Sequence, residues 1–214
     1  MATNSAPPST AADRGQRRRR ENHERIHLAA RRLFLERGFD ATTVDDIVSQ
    51  ADVVQKTFFN HYASKDALLH ELAAGLVSEL ERLLSAQCRR KGSTRARLEA
   101  FFLIAAQEAE STRLLSRDLL HRIIRGSASQ PGPSDELRRV RAAFRAVLET
   151  GRRQGEISNE VDMEFLADMV SGVFIAVMLH WLNEPGYPLR RRMSETASFL
   201  ESAFRTPSAP GVVN

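Results

Sequence analysis

Apolar residues recur at helical spacing along most of the chain, from about residue 20 to about residue 204. Positions three and four apart share one face of an α-helix, so this period is typical of amphipathic helices that pack on a core. No stretch shows the strict alternation that indicates a half-buried strand. The pattern therefore predicts an all-α protein with about nine helices.

The first predicted helix covers residues 20–37 and ends at Gly38, a residue suited to a C-terminal cap. Two short helices follow, joined by a tight turn at residues 52–53. Thr43 is predicted to cap the first of them, with Asp46 in the capping-box position. The second covers residues 54–62 and turns Phe58 inward. Two short helices joined by such a turn form a helix-turn-helix.

Longer helices are predicted over the remainder of the chain. Their ranges are residues 65–87, 94–110, 112–125, 134–153, 162–183 and 189–205. Gly126 and Gly155 are read as stops. The helix over residues 162–183 is apolar around most of its girth, which indicates burial on more than one side.

Length and charge refine this picture. A chain of 214 residues exceeds a typical single domain, so we expect two unequal units. The formal net charge is only +4, yet residues 14–37 hold nine arginines against three glutamates. Such a basic end favours binding to a polyanion, either nucleic acid or an anionic membrane surface. The run Arg17–Arg20 directly precedes the first helix, and this position favours DNA.

Several other classes of protein are disfavoured. The single cysteine, Cys88, excludes an internal disulfide and a cysteine-built zinc site. The N-terminus has no apolar segment of a secretory signal, and the longest apolar run, residues 169–182, is too short to span a bilayer. His23 and His27 share a helix face, but no convincing further ligand completes a metal site. We therefore expect a cytoplasmic protein without metal, cofactor or membrane association.

The segment of residues 26–72 resembles the DNA-binding domain of the tetracycline-repressor (TetR) family. Its landmarks are A-x-x-L-F-x-x-x-G-F at residues 30–39, T-x-x-x-I at 43–47, A-x-V at 51–53, T-x-x-x-H-Y at 57–62 and S-K-D-x-L at 64–68. The resemblance implies that the second short helix is a recognition helix in the major groove. It also implies a dimer, in which the last two helices of both subunits form a four-helix bundle. The small residues Gly172 and Ala176 would permit close helix approach there.

The polar face of the recognition helix supplies the candidate DNA contacts. These positions are Gln55, Lys56, Thr57, Asn60 and His61. Gln55 is the best candidate for direct reading, because a glutamine amide can form two hydrogen bonds with an adenine edge. The resemblance implies that five positions contact the phosphate backbone, namely Thr43, Thr57, Phe59, His61 and Lys65. Val44 is a further candidate for a DNA contact. The family often has tyrosine at the position of Phe59 and a small residue at that of Lys56, so the operator sequence cannot be transferred.

The expected organisation is a disordered basic arm over residues 1–19, the helix-turn-helix domain over 20–66, a ligand-binding and dimerisation domain over 67–205 and a disordered tail over 206–214.

The expected function is that of a dimeric repressor, associated with the nucleoid, that a small apolar ligand releases from a palindromic operator in double-stranded DNA. Aromatic and methionine side chains suit an adaptable apolar pocket and equally a plain core. The candidate pocket residues are Phe102, Phe144, Met169, Phe174, Met178 and Trp181.

Other functions remain open at this point. The chain could be a ligand-independent or activating regulator, or a nucleoid-type binder with little sequence preference. An all-α enzyme is a remote alternative, because the sequence contains no nucleophile elbow, phosphate loop, zinc-protease motif or paired acids.

Overall fold

The computed structural model describes residues 11–128 and 134–204 of the chain. These two ranges contain nine helices and no strand, which confirms the all-α prediction. The helices are α1 (Ala11–Arg37), α2 (Val44–Ala51), α3 (Gln55–His61), α4 (Lys65–Cys88), α5 (Thr94–Ser111), α6 (Arg113–Ala128), α7 (Asp135–Arg153), α8 (Met163–Asn183) and α9 (Leu189–Phe204).

The chain divides into two compact units, with the boundary between Leu72 and Ala73. The continuous helix α4 begins in the first unit and runs into the second. The sequence pattern predicts this boundary after residue 66. The division falls later because the first turns of α4 bury Leu68, Leu69 and Leu72.

In the first unit, α1, α2 and α3 pack on one another around a core of fully buried side chains. This core contains Ile26, Ala30, Phe34, Ile47, Phe58 and Leu68. Gly38 ends α1 at a φ of 82°, and its N–H donates to the Phe34 carbonyl over 3.0 Å. Only glycine adopts this backbone conformation at little cost, which explains why α1 stops there.

The beginning of α1 corrects one expectation. Residues 11–19 were predicted to belong to a disordered arm, but they form the first turns of a helix that continues to Arg37. Residues 13–19 are all exposed and bury no apolar face, so hydrophobic periodicity cannot detect them. Alanine, arginine and glutamine are nonetheless good helix formers, and they extend a helix already fixed by its buried part. Residues 1–10 and the predicted tail over 206–214 lie outside the described residues.

The second unit is built from helix pairs: α5 packs on α9 and α7, and α8 packs on α7 and α9. Helix α6 continues through Gly126 to Ala128, so Gly126 is not the stop that we predicted. Helix α8 is long and apolar enough to cross a membrane by length and composition, a test that core helices of soluble proteins also pass. Here α8 buries one side on its neighbours through Leu166, Val170, Phe174 and Trp181.

Candidate nucleic-acid interface

The N-terminus of α2 forms the predicted capping box. The Thr43 hydroxyl accepts a hydrogen bond from the Asp46 N–H over 3.1 Å and donates to the Asp46 carboxylate over 2.7 Å. The Thr43 N–H donates to the same carboxylate over 2.8 Å. These hydrogen bonds lower the pKa of Asp46. The expected phosphate contact of Thr43 therefore competes with a role in holding the start of α2.

Helix α3 follows a turn in which Asp52 takes a left-handed conformation with φ of 50°. Phe58 is fully buried and fixes the inner side of α3. On the outer side, Phe59 is 52% exposed, and its ring meets the edge of Phe58 at 5.4 Å between centroids. The predicted polar residues Gln55, Lys56 and Asn60 are also exposed, and Thr57, His61 and Val44 are half-buried. The turn thus presents one polar face of α3 to solvent.

Gln55 has a partner that sequence reasoning missed. Its side-chain amide donates to the carboxylate of Asp45 in the first turn of α2. The two residues are ten positions apart and meet only because the turn folds α3 back on α2. Asp45 therefore holds the side chain of the expected base reader in one orientation, and Gln55 must share or leave this bond to contact a base.

Lys65 lies at the start of α4, but its ammonium group points into the loop between α1 and α2. It donates to the carbonyl of Phe39 over 2.7 Å and to that of Thr42 over 2.6 Å. It also lies 4.1 Å from the centre of the Phe39 ring, a cation–π distance. Because an ammonium has three donors, one remains for a phosphate. The structure thus gives Lys65 a structural role beside the expected one.

A cluster of polar rings joins α1, the end of α3 and α4. The Tyr62 hydroxyl donates to Glu71 over 3.0 Å and shares a hydrogen bond of 2.8 Å with His23 Nε2. His23 Nε2 also lies 3.0 Å from the Glu71 carboxylate. The centroid of the His23 ring lies 5.7 Å from that of His61 and 6.3 Å from that of His27, which stacks on His23. This network fixes the end of α3 against both flanking helices.

The cluster shifts the pKa of its members. Burial, followed by the charge of Glu71, raises the pKa of Tyr62, so this phenol stays neutral. Partial burial, followed by the proximity of His23 and Arg19, lowers the pKa of His61. Burial also lowers the pKa of His27. The half-buried His61 is therefore a neutral imidazole near pH 7. Across the described residues, no group of three potential ligands has the arrangement of a metal site.

Two further residues of this region were not anticipated. Val54 is 68% exposed at the start of α3, although it is apolar. Arg25 on α1 donates to the backbone carbonyl of Asp52 over 2.9 Å and to its carboxylate over 2.7 Å. The exposure of Val54 could be inferred from its position directly after the turn. The contact between Arg25 and Asp52 joins residues 27 positions apart, so no local sequence pattern predicts it.

The candidate pocket residues lie in the second unit and are not all alike. Phe102, Phe144 and Phe174 are buried and form, with Phe101, a cluster whose ring centroids lie 5.3–6.1 Å apart. Met178 is half-buried, but Met169 is 45% exposed. Trp181 is buried, with the guanidinium of Arg113 at 4.5 Å from its ring centre.

The aromatic cluster was expected to line a ligand pocket, and the structure gives it a packed arrangement. Because the four rings touch one another, they act here as a core, and a bound ligand has to separate them. Phe101 belongs to the same cluster, although it was not among the predicted pocket residues. Met169 faces away from this core, on the exposed side of α8.

The geometry defines a helix-turn-helix whose second helix exposes polar side chains, the class of fold that enters the DNA major groove. Comparison with known proteins gives the same class: residues 26–72 match the model of the bacterial regulatory proteins of the tetR family. Over this segment the chain is similar to the TetR family of transcriptional regulators. Its relatives are regulators rather than enzymes.

Two curated relatives extend the similarity beyond this domain. The HTH-type transcriptional repressor KstR2 of Mycobacterium tuberculosis is 27% identical over 172 residues, which cover 78% of this chain and 82% of that protein. The repressor BepR of Brucella suis is 24% identical over 197 residues, covering 88% and 94%.

Two solved structures share the fold. SmeT, the repressor of the Stenotrophomonas maltophilia multidrug efflux pump SmeDEF, has a TM-score of 0.69 at 19% identity and covers 91% of this chain and 98% of its own. FadR of Thermus thermophilus, in complex with lauroyl-CoA, has a TM-score of 0.65 at 24% identity and covers 89% and 99%.

Proposed function

We propose that the protein is a dimeric, sequence-specific repressor that a small apolar ligand releases from a palindromic operator. The observation that supports this most directly is the exposed polar face of α3, held by the buried Phe58 and by the Gln55–Asp45 contact. A recognition helix needs this combination of a fixed inner side and polar groups that reach base edges. Binding to chromosomal DNA would place the protein in the cytoplasm, at the nucleoid.

The proposed dimer uses the exposed side of α8 and α9. Phe165 is 55% exposed, Met169 45% and Phe199 66%, an unusual set of large apolar side chains in contact with water. Gly172 and Ala176 continue the same side of α8 and are exposed as well. Two copies of this face can bury one another as a four-helix bundle. A two-fold axis then places two recognition helices about 34 Å apart, which accounts for a palindromic operator.

The dimer is tested by Gly172→Leu, since no side-chain or distant backbone atom lies within 4 Å of the position where a Cβ would sit. The monomer should tolerate the change, while the bulkier side chain prevents close helix approach. Gly75→Leu on α4 is the matched control, because Gly75 also faces open space. Sedimentation should show dissociation of the Gly172 variant alone. Equal dimerisation of both variants would contradict this interface.

The proposed ligand is apolar and separates the aromatic rings of α5, α7 and α8. Support comes from the buried cluster around Phe144 and from the named ligands of structural neighbours, which include triclosan and lauroyl-CoA with its apolar acyl chain. Movement of α7 would reach α4, because Arg139 forms a salt bridge of 2.5 Å with Glu81 and a hydrogen bond of 2.9 Å with Ser78. Helix α4 is continuous to Lys65, which binds the loop carbonyls of the first unit. The ligand would thereby favour a spacing of the two recognition helices that the operator does not accept.

Operator selection from a random-sequence DNA library tests the function as a whole. The selected duplex should bind about 10³-fold or more tightly than random DNA, and its sequence should be palindromic. Addition of triclosan as an apolar probe should weaken this binding, and unchanged binding would contradict release by a ligand of this class. A ratio near one would indicate a nucleoid-type binder and contradict the proposal.

An activating regulator is the second candidate. The transcriptional activator FasR of Mycolicibacterium smegmatis is 29% identical over 113 residues, half of this chain. Transcription in vitro from a promoter that carries the selected operator separates the two, because a repressor lowers transcript yield and an activator raises it.

A further inference from the structure

The first turns of α1 carry a concentrated positive charge beside the recognition helix. Arg14, Arg17, Arg18 and Arg19, here named the arginine rim, are all exposed. Arg14, Arg17 and Arg18 of the rim border a groove of about 920 Å³ between α1 and the helix-turn-helix. Its lining on the far side consists of Val48, Ser49, Asp52, Val53, Val54 and Thr57.

A second groove, of about 480 Å³, shares part of its lining with the first. It brings Arg18 and Arg19 together with Thr57, Asn60 and His61, three of the residues expected to contact DNA. Arg18 and Thr57 line both grooves. The arginine rim therefore continues the polar surface of α3 without interruption.

The position of the rim is fixed by the fold. It belongs to the same helix as the buried Ile26, and Arg25 binds the carbonyl and carboxylate of Asp52 in the turn before α3. Arg25 is thus a positioning residue that holds α1 against the helix-turn-helix. The arginines are consequently presented at defined places relative to α3.

Most of this charge is available to a partner. Arg17 pairs with Glu21, but within the described residues Arg14, Arg18 and Arg19 form no ion pair. Residues 11–25 contain no valine, leucine, isoleucine, methionine or large aromatic side chain. A helix that lies on a membrane needs such an apolar face, so the composition argues for a soluble polyanion.

We propose that the arginine rim binds phosphates of the DNA strand that borders the major groove occupied by α3. This inference rests on the proposed function and adds to it a second contact surface outside the helix-turn-helix motif. Arginine forms charge-assisted, two-pronged hydrogen bonds with phosphate and displaces condensed counterions from DNA. The arginine rim should therefore strengthen binding to all sequences alike and lengthen the protected stretch of DNA beside each half-site.

The test compares Arg14→Ala/Arg18→Ala with Arg20→Ala/Arg31→Ala in the full-length protein. Arg20 and Arg31 line neither groove and share another side of α1, so the control removes the same charge. Both arginine and alanine favour helix, which preserves α1 in each variant. The probe is a random-sequence duplex of about 30 base pairs, titrated between roughly 50 and 200 mM salt.

The slope of log affinity against log salt should become shallower by about 0.9 for every phosphate that the variant no longer neutralises, and affinity should fall roughly tenfold. The control should retain the wild-type slope. Arg14→Lys/Arg18→Lys should recover most of the slope, since a phosphate accepts either cation.

Unchanged slopes in Arg14→Ala/Arg18→Ala, with wild type bound to DNA, would overturn the inference and leave the proposed function intact. A wild-type protein that binds random DNA and operator equally would instead contradict the proposed function. Sedimentation with vesicles of phosphatidylserine and phosphatidylcholine tests whether the arginine rim binds an anionic membrane surface instead. Loss of vesicle binding without loss of DNA binding would assign the rim to a membrane surface and also overturn the inference.

Discussion

Replacement of Lys65 by methionine separates the structural role of this residue from its expected role on DNA. Methionine retains the apolar stem of the side chain but removes the ammonium group that binds the carbonyls of Phe39 and Thr42. A hydrogen bond to a charged group contributes about 1.5–3 kcal/mol, with the lower end appropriate for a half-buried side chain. The cation–π contact with Phe39 adds about 0.5–1 kcal/mol. We expect the first unit to lose about 3 kcal/mol of stability, slightly less than the full sum of these interactions.

Urea unfolding followed by far-ultraviolet circular dichroism measures this loss. The single tryptophan, Trp181, lies in the second unit, so its fluorescence reports that unit separately and should show no change. Lys56→Met is the matched control, because Lys56 is exposed on α3 and forms no ion pair within the described residues. Its stability should stay within about 0.5 kcal/mol of wild type. Equal stabilities of the two variants would refute the structural role of Lys65.

Three further predictions follow from buried groups. Burial lowers the pKa of His27 and His61 in the folded chain, so the unfolded chain binds protons first. The stability that depends on their neutral forms is complete above pH about 6.5 and is lost as the pH falls below this value. The urea midpoint of unfolding should therefore decrease between about pH 7.5 and about pH 5.5. A higher midpoint at the acidic end would contradict this sign. Gly151→Ala should destabilise the second unit by about 1–3 kcal/mol, because the new Cβ overlaps the Thr94 hydroxyl. An unchanged unfolding transition of Trp181 fluorescence would contradict this packing. Phe144→Ala should cost about 3–5 kcal/mol if the four rings form a core, and a cost below about 1 kcal/mol would indicate a cavity instead.

The sequence was most informative where a local rule decides the structure. The capping box of Thr43 and Asp46 depends on residues three apart, and the end of α1 depends on one glycine, so both were predicted correctly. The start of α1 was not, because residues 11–19 are helical through propensity and continuity rather than through burial. A hydrophobic period indicates the part of a helix that packs and not the part that projects beyond it.

The exposure of the polar residues on α3 was predictable, but their contacts were not. The polar face of α3 follows from spacing, and the resemblance to a family supplied the flanking positions. The partners of Gln55 and Lys65 lie ten or more positions away and are set by the tertiary fold. The same limit applies to Phe144, because periodicity indicates burial but cannot distinguish a packed core from the wall of a pocket.

The central claim is that α3 reads DNA sequence through its exposed polar face, and selection of DNA by wild type and by Gln55→Ala tests it most directly. Both proteins select sites from the same random-sequence library, and the selected duplexes are then compared base by base. We expect a palindromic site for wild type and, for the variant, loss of preference at one base step in each half-site, at a cost of about 1–3 kcal/mol per site. Identical selected sites with equal affinity would contradict the assignment of Gln55 as the reader, and the absence of any selected site would contradict sequence-specific recognition itself.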